Sequence, residues 1–300
     1  MNAPSYEAMA RLRNDPGASG GDLFTAAKEL RDSFVRGEHL MGLLPQDAPD
    51  VLVDGLERAG RAGIVDAWLE LGKLLAYGCA PWAPYPEQDV SASVAAYQEA
   101  DRAGSLAGAL AWIRIAYYAR SDAHEQAAAR RLDDLLAAAP DDAEVLLLYG
   151  YLRHQGYGHP ADPATAVPYH RAAAERGNAD AAFEMSVIYG TGSGVPADQD
   201  ESRRWTFRAA ELGSVRAMGN LGGMFATGRG VEQNPVTALE WYAKAADAGH
   251  PRSAFTAGVM CLTGDSGLPV DEDRAATFFA TAEELGVDVD DELDLMGLSR

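Results

Sequence analysis

The chain has 300 residues, of which 45 are acidic and 25 are Lys or Arg, so its formal net charge is −20. This charge repels nucleic-acid phosphates and argues against direct binding of DNA or RNA. It would attract a basic protein, or it keeps the chain soluble, and the composition leaves both explanations open. No apolar run approaches the roughly 20 residues that span a bilayer, and the first residues do not resemble a signal peptide. We therefore expect a cytoplasmic protein.

Residues 1–62 predict a short helical region. Residues 14–21 have the composition of a turn or linker, and helices are predicted over 22–36 and 50–62. This region is either an N-terminal cap with a divergent repeat or a separate docking element. The short apolar stretch from Met41 to Pro45 is what favours the docking element.

From residue 63 onward the sequence repeats with a period close to 36 residues, marked most clearly by Gly177, Gly213, Gly249 and Gly286. A fixed period of this length indicates a repeat protein. Because one unit cannot bury its apolar face alone, neighbouring units must stack on one another.

Each copy predicts two helices. The first lies between two glycines 15 residues apart, as between Gly213 and Gly228, and places Ala217, Leu221 and Phe225 on one face. The second begins at an Asp or Asn, residue types that accept hydrogen bonds from free N–H groups at a helix start. These predicted starts are Asp162, Asp198, Asn234 and Asp271. A glycine then closes the second helix.

The copy at 213–248 resembles the Sel-one-like repeat family, a subtype of tetratricopeptide-like helical repeats. The residues that carry the resemblance are Leu221, Gly222, Phe225, Gly228, Gly230, Val231, Ala238, Trp241, Tyr242, Ala245 and Ala246. The resemblance implies an all-α fold, a right-handed α-solenoid (superhelix) of antiparallel helix pairs. It also implies a scaffold or adaptor role without catalysis.

The predicted organisation has an N-terminal region at 1–62, six helix pairs and a C-terminal capping helix at 286–300. The six pairs are expected at 63–103, 104–140, 141–176, 177–212, 213–248 and 249–285. The copies at 177–212 and 213–248 match the pattern closely, whereas 63–103 and 104–140 match it in part.

The loop at 78–86 is the first candidate for a partner contact. Its unit has 41 residues where its siblings have 36, and insertions in repeat proteins map to loops that often bind partners. The loop is rich in proline and carries Trp82 and Tyr85, which are typical interface residues. The alternative is that both aromatic rings fold back onto the first repeats.

The concave face of the solenoid, lined by the first helix of each unit, is the second candidate. The positions predicted to be exposed there are Asp66, Glu70, Glu144, Leu148, Asp180, Glu184, Arg216, Asn220, Arg252 and Thr256. The series is acidic early and basic or neutral late. These charges either specify a partner or are those of an ordinary solvated helix face.

No residue pattern predicts catalysis, a cofactor or a metal. His154, His159 and His170 lie close together in sequence, but they occupy repeat positions and lack a carboxylate or thiol that completes a zinc set. Cys261 is expected on a buried face, and Cys79 opens the long loop. Gly190, Gly192 and Gly194 form the loop of the repeat, with no lysine following, rather than a phosphate site.

The sequence therefore predicts a non-enzymatic adaptor that binds a protein or peptide on the concave face and the 78–86 loop. A related alternative is an immunity or inhibitor protein that caps a basic toxin or nuclease. A third is a regulatory module that senses a small ligand or peptide. Neither nucleic acid nor membrane is expected as a partner, and both a monomer and a homodimer fit the sequence.

Overall fold

The computed structural model describes residues 3–41, 43–79, 88–264 and 267–299. Within these ranges the chain forms sixteen α-helices and no strand, so the all-α prediction is confirmed. The helices are α1 Pro4–Asn14, α2 Gly20–Val35, α3 Ala48–Arg61, α4 Val65–Tyr77, α5 Val90–Arg102, α6 Leu106–Tyr118, α7 Asp122–Ala138, α8 Ala143–Gln155, α9 Pro163–Glu175, α10 Ala179–Thr191, α11 Gln199–Glu211, α12 Val215–Thr227, α13 Pro235–Asp247, α14 Pro251–Thr263, α15 Glu272–Glu284 and α16 Val289–Met296.

The chain divides into two compact units, Met1–Leu135 and Leu136–Arg300. In the first unit, α1 to α4 enclose a core in which Met9, Leu30 and Leu52 are fully buried. Helix α1 was not predicted by the sequence. It begins with a proline in its first turn and buries Met9 against Gly55 of α3. Helices α2 and α3 lie within two residues of their predicted bounds.

The second unit consists of the helix pairs α8–α9, α10–α11, α12–α13 and α14–α15, followed by the short α16. Every predicted start of a second helix is confirmed. The side chains of Asp162, Asp198, Asn234 and Asp271 each accept a backbone N–H from the first turn of their helix. This satisfies donors that the helix itself leaves unpaired.

Glycine ends the helices of each pair for a conformational reason. Gly213, which follows α11, has φ of +99°, and Gly228, which follows α12, has φ of +72°. Most side chains avoid this left-handed region, whereas glycine enters it without a steric penalty. The two glycine positions that define the sequence period are therefore the two turns of the unit.

Within most pairs of the second unit, a ring on the second helix packs against a glycine on the first. A Cβ atom on Gly222 would lie 2.6 Å from the Tyr242 ring, and one on Gly258 would lie 2.5 Å from the Phe279 ring. The ring of His170 faces Gly150 in the same way. Any larger residue at these glycines would push the two helices apart.

The pair α10–α11 departs from this arrangement. Ser186 and Thr206 occupy the positions of Gly222 and Tyr242, and both are buried. The Thr206 hydroxyl donates to the carbonyl of Ser202 at 2.9 Å, in its own helix. The ring position of this pair therefore carries no ring, and the Ser202 hydroxyl donates to the carbonyl of Ser186 at 2.8 Å between the two helices.

None of the helices in the described ranges combines the length and the apolar character that crossing a membrane requires.

Candidate functional site

The first helices α8, α10, α12 and α14 present side chains on one side of the second unit, which we call the first-helix face. Three predicted partner-binding residues meet there. The Arg216 Nη2 atom lies 3.3 Å from Glu184 Oε1 and 3.6 Å from Asp180 Oδ1. The Tyr151 hydroxyl donates to Glu184 Oε1 at 3.0 Å, and the Arg216 guanidinium lies 4.2 Å from the centre of the Phe183 ring. The acidic charge predicted for this face is thus locally balanced by Arg216.

The predicted residues on α8 have different surroundings. Glu144 is exposed at the start of the helix and accepts a hydrogen bond of 2.7 Å from the Asn178 amide. Leu148 was predicted to be exposed, and this was wrong: it is 1% exposed and part of the core. A buried apolar side chain at this position stabilises the core of the protein and does not contact a partner.

The remaining predicted residues lie in the first unit or at its long loop. Asp66 is exposed in the first turn of α4, and Glu70 Oε2 lies 2.7 Å from Arg31 Nη1 of α2. Glu70 therefore contributes to a contact between two helices of its own unit. Trp82 and Tyr85 lie outside the described residues, so the prediction for the 78–86 loop remains a prediction.

Two adjoining cavities lie on the first-helix face. One, of about 540 Å³, lies between α10, α11 and α12, and the other, of about 510 Å³, lies between α12, α13 and α14. Asn220 and Arg229 line both, so the two cavities adjoin at α12, and we call them together the arginine groove. Its walls include Ser186, Val187, Arg203, Thr206, Met224, Arg216, Tyr242, His250, Arg252 and Thr256.

The arginine groove differs in charge from the rest of the chain. Four arginines line it, and no Asp or Glu does. Arg203 pairs with Asp200 at 2.6 Å, and Arg216 is held by Asp180 and Glu184. Within the described ranges, the guanidinium groups of Arg229 and Arg252 have no ion pair or hydrogen-bond partner. The groove therefore offers two positive charges to a ligand.

Sequence reasoning found part of this groove and missed the rest. It selected Arg216, Asn220 and Arg252 from their helical register, but it assigned no role to Arg229. That residue stands in the loop where the other copies of the second unit have Tyr157, Ser193 and Asp265. A basic residue at a position that is otherwise neutral or acidic was the available signal.

Burial sets the protonation states of His170 and of the two cysteines. His170 is fully buried, and burial lowers its pKa to about 4 with a smaller contribution from His154. Burial also raises the pKa of the Cys79 thiol to about 12 and that of Cys261 above its usual value. Both thiols are therefore protonated at neutral pH. Among the described residues, no group of three His, Cys, Asp or Glu side chains is arranged to hold a metal ion.

Comparison with known proteins identifies the repeat. The Sel1 repeat family model matches residues 143–178, 179–214, 215–250 and 251–287. No curated protein matches the chain. Each matched segment begins at a first helix and contains one helix pair, so the family repeat coincides with the structural unit.

Two solved structures show the same fold. The chain is similar to a Sel1 repeat protein from Oxalobacter formigenes, with 24% identity, a TM-score of 0.60 and coverage of 97% of this chain and 85% of the other. It is also similar to a protective antigen of uropathogenic Escherichia coli that displays an SLR fold, with 22% identity, a TM-score of 0.50 and coverage of 91% and 57%. An immunity protein from Pseudomonas aeruginosa matches with 18% identity, a TM-score of 0.40 and coverage of 97% and 85%.

Sel1 repeat proteins are generally non-catalytic scaffolds for protein interactions. One conclusion follows from the sequence period, the helix caps, the glycine turns and the family match over 143–287. Residues 143–287 form four Sel1 repeats, and the chain has an all-α repeat fold.

Proposed function

We propose that this protein is a non-enzymatic adaptor that binds a protein or peptide in the arginine groove of its first-helix face. The observation that carries the proposal is the extent of the groove, because its two adjoining cavities are lined by residues of α10, α12 and α14. Packed helices lie about 10 Å apart, so three successive first helices span about 20 Å. An extended chain of about six residues covers that distance, whereas a compact small molecule would fill only one cavity.

A blocking substitution tests the groove. Asn220 is exposed and lines both cavities. The larger side chain of Asn220→Trp should therefore obstruct both of them. The matched control is Glu240→Trp, which places the same ring at an exposed position of α13 that does not line the groove. Partners would be purified with the wild-type chain from the native host, cross-linked and mapped by mass spectrometry.

The proposal predicts a stoichiometric partner whose cross-links fall near α10, α12 and α14. That partner should be lost with Asn220→Trp and retained with Glu240→Trp. Cross-links confined to the second helices, or a partner insensitive to Asn220→Trp, would contradict binding in the groove. Absence of any partner would contradict the adaptor function itself.

The 78–86 loop is proposed as a second contact, supported by the interface character of Trp82 and Tyr85. The double variant Trp82→Ala and Tyr85→Ala should reduce recovery of the same partner if the loop contributes. Unchanged recovery would restrict binding to the groove.

A second candidate function is inhibition of a basic protein, supported by the net charge of −20. This charge lies outside the arginine groove, for example on exposed carboxylates of α15 and α16 such as Glu272, Asp273, Asp290 and Asp294. A basic partner should bind quickly at low salt and weaken steeply as salt increases. A partner retained at 0.5 M salt would argue against this candidate.

A further inference from the structure

The arginine groove has a charge opposite to that of the protein around it. The chain has 45 acidic and 25 basic residues, yet the groove has four arginines and no carboxylate in its walls. A surface that merely keeps an acidic protein in solution would place carboxylates here as elsewhere. The local charge therefore points to the chemistry of the ligand.

The two unpartnered arginines occupy different parts of the groove. Arg229 lies in the loop after α12 and borders both cavities, whereas Arg252 lies in the first turn of α14 and borders only the second. Both side chains are exposed and lack partners within the described ranges. A guanidinium group binds a carboxylate through two parallel hydrogen bonds, so each can hold one acidic side chain.

The cavity beside α11 adds an apolar subsite. Ser186 and Thr206 line it where other pairs have a glycine and a ring. Val187, which is 41% exposed, and Met224 supply apolar walls. A medium-sized apolar side chain of a ligand can pack against these walls.

We propose that the arginine groove binds an extended acidic segment of a partner protein, whose carboxylates pair with Arg229 and Arg252 and whose apolar side chain enters the cavity at Ser186 and Thr206. This inference rests on the proposed adaptor function and specifies the chemistry of its partner. A protein segment is favoured over nucleic acid because the chain carries a net charge of −20, which repels a continuous line of phosphates. An isolated pair of carboxylates experiences much less of that repulsion across a screening distance of about 10 Å.

The test is selection of peptides from a random twelve-residue display library at moderate salt. The wild-type chain is compared with the charge-reversed variant Arg229→Glu and Arg252→Glu. The matched control is Arg204→Glu and Arg208→Glu, which changes the net charge equally at exposed positions of α11 that do not line the groove. Circular dichroism establishes that each variant is folded. Selected peptides are then measured by fluorescence anisotropy, with and without their acidic residues replaced by amides.

The proposal predicts acidic peptides with at least one apolar residue. Their affinity should fall at least about tenfold, or 1.4 kcal/mol, with the groove variant or with the amide peptides, and change little with the control. Neutral or basic peptides, or acidic peptides indifferent to Arg229 and Arg252, would overturn the inference while leaving the adaptor function in place. A single-stranded DNA oligomer that displaces the peptide at lower concentration than a free acidic peptide would reassign the groove to phosphates. Selection of no peptide would contradict the inference and the adaptor function together.

Discussion

The helix pairs α10–α11 and α12–α13 share a backbone plan but differ at one packing position. In α12–α13 the Tyr242 ring lies against Gly222, so close that an added Cβ atom would be 2.6 Å from it. In α10–α11 the equivalent residues are Ser186 and Thr206, and a cavity of about 540 Å³ borders both. Tyr242 also lines a cavity, of about 510 Å³, so the two pairs differ in what this position presents to the groove: a ring in one pair and small polar side chains in the other.

The comparison separates two contributions to a repeat surface. The glycine turns and helix caps recur in every matched copy of the family repeat and fix the backbone. The ring position and the loop residue between the two helices vary from copy to copy. In this chain, the first cavity has the small side chain of Thr206 at the ring position and the charge of Arg229 at the loop position.

Removing a ring that packs between two helices should have the largest effect on the free energy of unfolding. Phe279 is 1% exposed and packs against Gly258. Phe279→Ala should lower the free energy of unfolding by about 3–5 kcal/mol because it leaves a cavity. Thr206→Ala, at the same repeat position, should cost only about 1 kcal/mol, the value of one hydrogen bond. Urea unfolding followed by circular dichroism measures both, and equal losses would mean that the ring is not the main packing contact.

His170 occupies the ring position of α8–α9, and its burial predicts that the stability of the protein depends on pH. Its pKa in the folded protein is about 4, because burial disfavours the charged ring, while an unfolded histidine has a pKa of about 6.5. At a pH between these two pKa values, the unfolded state binds a proton that the folded state does not bind. Stability should therefore fall by about 2 kcal/mol as the pH falls from 7 to 5.

The control for this prediction is His170→Tyr, which installs the ring found at Tyr242. The difference between wild type and variant removes the contributions of all other titrating groups. If urea unfolding at several pH values gives parallel curves for the two chains, His170 does not titrate as its burial requires.

Adjacent glycines on α12 sharpen the comparison further. Gly222 faces the Tyr242 ring at 2.6 Å, whereas an added Cβ on Gly223 would lie 3.5 Å from the Tyr242 hydroxyl, an ordinary contact. Overpacking costs about 1–3 kcal/mol, and alanine gains about 1 kcal/mol over glycine in a helix. Gly222→Ala should thus destabilise by about 1 kcal/mol and Gly223→Ala should stabilise by up to that amount. Thermal unfolding of the two variants should move the midpoint in opposite directions.

The sequence predicted the parts of this molecule that depend on period and local chemistry. Gly213 and Gly228 mark turns that need positive φ, and Asp198 and Asn234 mark helix starts. These residues can be recognised in the sequence because each determines the conformation of only a few neighbouring residues. The burial of Leu148 was missed because the register alone does not show which neighbour covers a side chain.

The candidate site was predictable only in part for the same reason. Arg216 and Arg252 share a register, so the pattern selected both, yet only the structure shows that Arg216 is paired with Glu184 and that Arg252 is unpartnered. The first cavity has the small side chain of Thr206 at the ring position. That difference becomes visible only when Tyr242 and Phe279 are seen at the same position in other pairs.

The most direct test is to install the missing ring. The double variant Ser186→Gly and Thr206→Tyr reproduces the pair Gly222 and Tyr242 inside α10–α11. The account predicts that this variant folds with unchanged helix content and binds the selected acidic peptides at least about tenfold more weakly, a loss of about 1.4 kcal/mol, because the ring occupies the cavity. Peptide affinity equal to that of the wild-type chain would show that a partner does not bind against Ser186 and Thr206.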